Sequence, residues 1–271
     1  MKIAVILPSR GLLFSESFEE LLRELGVSSS KSQLKPIDHK IFFSHGKPIP
    51  DCFNIPLEKA LKDKSFTHVL FAEDDMALPK GILRKMINGG WMACALDYPF
   101  KNDGEATILH DPAGYALYSG TGFLLVDRAI LDLMPKPIMR TDTAWDLRIQ
   151  NHTLFMWPRD VSKIKTYGLH DINFGLTLWT NDIPIVPVAP AGQRKLVSLG
   201  LKNTNYGAHI IKVLSEVGID NITKTSDKTM KLKWLAALSQ VKKVQILNEI
   251  PDDIEIVDGQ ARLKGGNDVI I

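Results

Sequence analysis

Three carboxylates stand side by side at Glu73, Asp74 and Asp75, directly after the apolar run Val69-Leu70-Phe71-Ala72. A short apolar run bounded by polar residues reads as a buried strand, so the acids leave the core where the strand emerges. Alternate residues of an extended segment point the same way, which lets Glu73 and Asp75 converge while Asp74 faces elsewhere. Carboxylates this close repel one another unless a cation lies among them. Hard oxygen donors suit Mg2+ or Mn2+, and such sites usually keep waters or phosphate oxygens in the shell. A second account is a cluster of acids ahead of the helix that Pro79 opens, favoured by the helix dipole.

Other residues have types suited to chemistry. Asp171 begins a helical run that ends at Trp179. The dipole keeps a carboxylate ionised there, and an ionised carboxylate can take a proton from a hydroxyl, although a plain N-cap would use the same position. Pro8-Ser9-Arg10 follows the first apolar run, and Asp97-Tyr98-Pro99 follows a later one. Arg10 suits a phosphate or a stacked base, or is simply an exposed turn residue. Arg194 and Lys195 suit a diphosphate, or form a solvated pair. His209 stands alone, and a lone histidine is more often a surface or satisfied core residue than a ligand. Cys52 and Cys94 lie among apolar residues without metal-ligand spacing, which reads as buried reduced thiols.

The elements that must position these groups alternate between strand and helix. Apolar runs over Lys2–Leu7, Lys40–Ser44, Thr67–Ala72 and Trp91–Leu96 read as strands, and Ser15–Leu25 as a helix stopped by Gly26. Asn54 would cap a helix over Pro56–Lys64, and Pro79 would sit in the first turn of a helix continuing to Ile87. Strands over Tyr115–Ser119 and Gly122–Val126 flank Gly120-Thr121-Gly122, a short helix covers Arg128–Met134, and Ile183–Val188 is a further strand. Trp145 and Trp157 fall in an irregular region. Thr229–Leu247 reads as a basic amphipathic helix carrying Trp234, and Ile254–Leu263 as a hairpin about Asp258-Gly259. Such alternation predicts an α/β fold with a mainly parallel sheet flanked by helices, where ligands bind at the carboxyl ends of strands. Residues 1–190 would form the core, and 191–271 a basic extension packed on it.

The acidic triplet resembles the DxD-type metal motif of GT-A-fold glycosyltransferases (family-2-like), with Glu73 in place of the first aspartate. Further segments are similar in the same order. Val5-Ile6-Leu7-Pro8-Ser9-Arg10 is similar to the first strand and base-binding turn. Ile49-Pro50-Asp51-Cys52-Phe53-Asn54 precedes the second helix, where the family often carries Arg-Asn and this chain has Phe53-Asn54. Gly120-Thr121-Gly122-Phe123 resembles the glycine-rich acceptor-side turn, and His170-Asp171-Ile172-Asn173-Phe174 the E-D-x-x-F segment, with His170 in place of glutamate. The resemblance spans roughly residues 2 to 190. It implies a nucleotide-sugar donor held near Pro8, Ser9, Arg10, Asp74, Asp97, Arg194 and Lys195, and Mn2+ or Mg2+ on Glu73 and Asp75. It implies Asp171 as base, and Gly122, His170 and Trp145 on the acceptor side. A third ligand is often a histidine after the base; Gln193 occupies the matching position, and His209 is the next candidate.

From Ala191 to Lys243 there are ten Lys or Arg against three acidic residues, within a chain of net charge +2. That excess suits phosphates, nucleic acid or a solvated helical face. Small enzymes of this look occur in bacteria and phages, and some phage members modify hydroxymethylated DNA bases, so DNA is one possible acceptor. Two other readings remain open. A nucleotidyltransferase usually carries a glycine-rich basic loop after its first strand, and Ser9-Arg10-Gly11-Leu12 lacks the second glycine and the lysine. A non-catalytic nucleotide- or nucleic-acid-binding protein is the other. The apolar run Ile3–Leu7 is too short for a signal peptide and nothing approaches a membrane span, so the cytoplasm is the expected location.

Overall fold

In chain order the elements are β1 (Lys2–Ser9), α1 (Ser15–Leu25), β2 (Asp38–His45), α2 (Asp51–Leu61), β3 (His68–Ala72), β4 (Met76–Ala77), α3 (Ile82–Gly89) and β5 (Ala93–Asp97). Next come β6 (Leu109–His110), β7 (Ala116–Tyr118), β8 (Phe123–Asp127), α4 (Arg128–Leu133), β9 (Thr143–Gln150), β10 (Thr153–Asp160), α5 (His170–Trp179) and β11 (Ile185–Pro190). The short strands β12 (Gly192–Gln193), β13 (Lys195–Val197), β14 (Gly200–Lys202), β15 (Lys243–Ile246), β16 (Ile254–Val257) and β17 (Gln260–Leu263) complete the described elements. The computed structural model describes residues 1–9, 13–27, 35–98, 108–163, 169–193, 195–197, 200–202, 240–257 and 260–266, with the backbone alone for those between 192 and 202. Arg10, Arg194, His209, Trp234 and most of the expected basic helix lie outside these residues.

Eight strands form one sheet in the order β2-β1-β3-β8-β5-β11-β7-β6. The sheet is mixed, which corrects the expectation of a mainly parallel one. β1 runs parallel to β2 and β3, and β11 parallel to β5. β8 is antiparallel to both β3 and β5, and β7 is antiparallel to β11 and β6.

Alternation along each central strand divides the core into two layers. Ala4, Ile6, Val69 and Phe71 face Phe53 and Leu57 of α2, Ile130 of α4 and Phe174 of α5. Ile3, Val5, Leu7 and Leu70 face Leu21 and Leu25 of α1 and Leu83 and Met86 of α3. Helices on both faces explain why β1 is buried along nearly its whole length and reads as one continuous apolar run. Cys52 and Cys94 are both buried free thiols within these layers, as expected. No helix among the described residues is long and apolar enough to cross a membrane.

Several boundaries differ from expectation for identifiable reasons. α2 begins at Asp51, and Asn54 lies inside it rather than capping it. Its side chain is buried and both donates to Met139 O and accepts from Met139 N, each at 2.9 Å. α3 begins at Ile82, three residues after Pro79, because its N–H groups are satisfied from another helix. Glu24 of α1, fully buried, accepts from Gly81 N at 2.9 Å and Leu83 N at 3.1 Å. The region around Trp145 and Trp157 is not irregular. β9 and β10 form an antiparallel hairpin, and β15 joins β10 in parallel, so Lys243–Ile246 is strand instead of the end of a helix. The expected hairpin of β16 and β17 is present and packs Ile254 and Ala261 on the buried Trp157.

Glu24 therefore carries the start of α3 and, with it, the loop that follows the acidic triplet. Removing a buried carboxylate that satisfies two backbone donors costs about 2–3 kcal/mol. Glu24→Ala should lower the unfolding free energy by about that amount in a denaturant titration, with Glu24→Gln intermediate. A midpoint unchanged in Glu24→Ala would contradict the capping role.

Candidate functional site

The rim of the sheet is built by strand direction. β1, β3 and β5 end there, while the antiparallel β8 begins there, so Gly120-Thr121-Gly122 arrives beside the outgoing acids. Ala72 pairs with Phe123, and Glu73 N donates to Gly122 O at 2.9 Å. Carrying the β1–β3 register two residues beyond Ile6 and Phe71 sets Pro8 level with Glu73. Asp97 closes β5 on the same rim, and its carbonyl accepts from Ala191 N at 2.7 Å.

After Ala72 the chain turns, so Asp74 and Asp75 do not continue an extended strand as expected, and β4 starts at Met76. All three acids are half-buried. The turn still brings Asp75 closer in effect to Glu73 than Asp74. Burial pushes the Glu73 carboxyl up to about 8, with Asp75 the next cause; the Thr121 hydroxyl offsets part of this, and Asp171 and Asp74 raise it further. Asp171, far away in sequence, thus shares a site with the triplet. Its own carboxyl is raised to about 6 by burial, although it accepts from Ile172 N at 2.9 Å. Glu73 and Asp74 also line a cavity of about 10 Å³ with Leu7, Ser17 and Phe18, room for at most a single water.

A buried layer holds Glu73 from behind. Thr121 Oγ1 donates to Glu73 Oε1 at 2.8 Å and lies 3.2 Å from His170 Nε2. His170 is 4% exposed and stacks on Phe53, with ring centroids 4.7 Å apart. Burial lowers its pKa to about 4, so the imidazole is neutral. Two of the positions where this chain departs from the resembled motifs, Phe53 and His170, are therefore in contact with each other. His170 was expected on the acceptor side, but it lies enclosed beneath the rim. Gly122, also expected there, is buried too. Its N–H donates to Tyr98 Oη at 2.7 Å, and a Cβ at Gly122 would lie 2.4 Å from Tyr98 Cζ and 2.6 Å from Met76 Sδ. Glycine is required for that close approach. Burial raises the Tyr98 phenol well above its ordinary value, with Glu73 and Asp171 adding to the effect.

The other candidates divide. Pro8 and Ser9 are buried at the end of β1, and Ser9 O accepts from Gly46 N at 3.1 Å. Asp97 is raised to about 6 by burial, and its Oδ1 has no hydrogen-bond partner among the described residues. Trp145 lies on β9, and its Nε1 donates to Asn173 Oδ1 at 3.0 Å. Asn173 also donates to Arg140 O at 2.9 Å and Thr143 O at 3.0 Å, which ties the helix carrying Asp171 to a groove of about 450 Å³. That groove is lined by Arg140, Asp142, Thr143, Pro158, Asp160 and Ser162. Gln193 is opposite Met76, next to Asp75, so the backbone brings this position to the triplet; Lys195 follows on β13. Thr121, Tyr98 and Asn173 are the site residues that motif reading undervalued. Each lies within a motif quoted for a neighbouring residue, Asp97, Gly122 or Asp171, and its own partner is distant in sequence.

Among the described residues no group of three or more His, Cys, Asp or Glu side chains is placed so that it could hold a metal ion. Glu73 and Asp75 are hard oxygen donors of the kind that would suit a divalent cation keeping waters or phosphate oxygens in its shell. Asp75, Asp171 and Asp74 each raise the Glu73 carboxyl, and a cation beside it would relieve that repulsion.

The raised Glu73 pKa sets a sign for stability. Between its unfolded value near 4.5 and about 8 the folded chain holds more protons than the unfolded one, so stability falls as pH rises through this window. The raised Asp97 and Asp171 act in the same direction only up to about 6. The lowered His170 acts oppositely below 6.5. From pH 6.5 to 8 the metal-free protein should lose melting temperature, and Glu73→Gln should flatten that slope. An equal slope in Glu73→Gln would remove Glu73 as its source.

No family model matches this chain, and no curated protein matches it. Among solved structures it is similar to A197 from STIV, with a TM-score of 0.48 and 12% identity over 76% of this chain and 95% of that one.

Proposed function

We propose that the protein is a metal-dependent glycosyltransferase of GT-A type, moving a sugar from a nucleotide-sugar donor to an acceptor hydroxyl. One observation carries the reading: Thr121 joins Glu73 of the acidic triplet, at 2.8 Å, to His170, the neighbour of Asp171, at 3.2 Å, so two motifs far apart in sequence meet at the end of β3. Open α/β sheets bind ligands at such carboxyl ends.

In this reading Glu73 and Asp75 would hold Mn2+ or Mg2+, which would supply positive charge to offset that of the departing nucleoside diphosphate. Pro8, Ser9, Asp74 and Asp97 line the donor side, with Arg10, Arg194 and Lys195 as further phosphate partners. Asp171 takes the acceptor proton as the acceptor oxygen bonds to the anomeric carbon. The bond from that carbon to the diphosphate oxygen breaks, and the electron pair leaves with the nucleotide. A carboxylate raised to about 6 is ionised at neutral pH yet more basic than an ordinary aspartate, which suits this role.

The groove beside β9 supports an uncharged acceptor. Two carboxylates and one guanidinium line it, a surface that disfavours a phosphate backbone and suits saccharide hydroxyls. The basic excess from Ala191 to Lys243 is the observation that favours DNA as acceptor instead. Retention of duplex DNA that weakens steeply with salt would move the acceptor there.

With UDP-, GDP- and CDP-sugars in turn, a thermal-shift panel should show one donor raising the melting temperature only when Mn2+ is present. Asp75→Ala should abolish metal-stimulated transfer; full transfer with unchanged metal dependence would refute the assignment. Turnover should rise with pH through about 6 as Asp171 ionises, and Asp171→Asn should reduce it by about 10²-fold or more without that limb. Transfer by Asp171→Asn at the wild-type rate would exclude Asp171 as base.

A further inference from the structure

We infer that Thr121 and His170 are positioning residues that together set the direction of the Glu73 carboxylate for a divalent cation, which rests on the reading of Glu73 and Asp75 as cation ligands. With Glu73 ionised, as a bound cation would keep it, the hydrogen-bond arithmetic closes. Thr121 has one hydroxyl proton, and at 2.8 Å it is given to Glu73 Oε1. The remaining 3.2 Å contact with His170 Nε2 then needs the imidazole to donate into the hydroxyl oxygen. That requires the Nε2–H tautomer, and His170 Nδ1 is correspondingly buried without a hydrogen-bond partner among the described residues. A neutral ring stacked on Phe53 cannot turn over freely, so the order His170 to Thr121 to Glu73 has a single direction.

Both intermediaries are enclosed, Thr121 at 1% and His170 at 4% exposure, so neither meets a substrate in this arrangement. Their effect passes through Glu73. A hydroxyl donating to a carboxylate favours its ionised form and fixes which oxygen is left for a ligand. Glu73 N, held by Gly122 O, fixes the backbone of the same residue, so main chain and side chain are both restrained from the β8 side.

The test is a Mn2+ titration of the whole chain followed by electron paramagnetic resonance of the free ion, with the metal-free melting temperature of each variant recorded alongside. Thr121→Val, which keeps the shape and loses the hydroxyl, should weaken Mn2+ binding about tenfold, while Thr121→Ser should stay near wild type. His170→Phe, which keeps the ring on Phe53, should weaken it by a smaller factor. The double variant should bind no more weakly than Thr121→Val alone, because both changes act on one hydrogen-bonded path. Independent, multiplying effects would overturn the relay, as would unchanged Mn2+ affinity in folded Thr121→Val or in His170→Phe. If Thr121→Val unfolds, His170→Phe decides alone. Wild-type protein that binds no Mn2+ would overturn the cation site itself, and the inference with it; wild-type binding with indifferent variants would overturn only the inference.

Discussion

Keeping carboxylates half-buried at a strand end is the constraint on which the rest of this structure depends. Burial pushes Glu73 up to about 8, and Asp75, Asp171 and Asp74 add to the cost of ionising it. The Thr121 hydroxyl offsets part of that cost by donating to the Glu73 side chain. A chain optimised for stability alone would expose these acids or replace them. Such local conflicts between stability and placement are where function is found.

The mixed sheet is the means of arranging this. In a wholly parallel sheet every neighbour of β3 would leave the rim through its own carboxyl end. Because β8 runs antiparallel between β3 and β5, it enters where they leave, and it brings Thr121 and Gly122 against the acids. Its first residue, Phe123, pairs with Ala72, so the turn before β8 meets the turn after β3. The layer below is aromatic: Phe53 to Phe71 at 6.3 Å and Phe71 to Phe174 at 5.9 Å run under the rim from α2 to α5. Through Phe53 and His170 that layer reaches the acids, so core packing and site geometry are the same set of contacts. α5 is drawn close at Gly175, where a Cβ would lie 2.4 Å from Tyr118 Cα.

Much of this was legible in the residues, and what was not has physical reasons. β1, β3, α1, α5 and the β16–β17 hairpin follow from apolar runs, helical spacing and turn chemistry, which are local. The place of β8 in the sheet was not legible, because strand order is set by long-range pairing. The β9–β10 hairpin was missed since its turn is Asn151-His152, both at positive φ, where glycine would have marked it. Asn54 resembles a cap because a polar residue inside a helix normally signals an end; its partner, Met139, is distant in sequence. α3 starts late because its cap is supplied by Glu24 from another helix, which no local pattern carries. The acids themselves were found from sequence, but their mutual effect with Asp171 needed the fold.

The Phe53–His170 stack bears on how the site tolerates its departures from the resembled motifs. Taken one at a time, a phenylalanine for an arginine and a histidine for a glutamate each remove a charge from a region that uses charge. In this chain the two positions hold two rings in contact, one of them kept neutral by burial. A neutral donor behind Thr121 can orient Glu73 without competing with it for a cation, whereas a carboxylate at position 170 would raise Glu73 further. The stacked pair therefore puts no charge behind Thr121, and the acids stand in front of it at the end of β3.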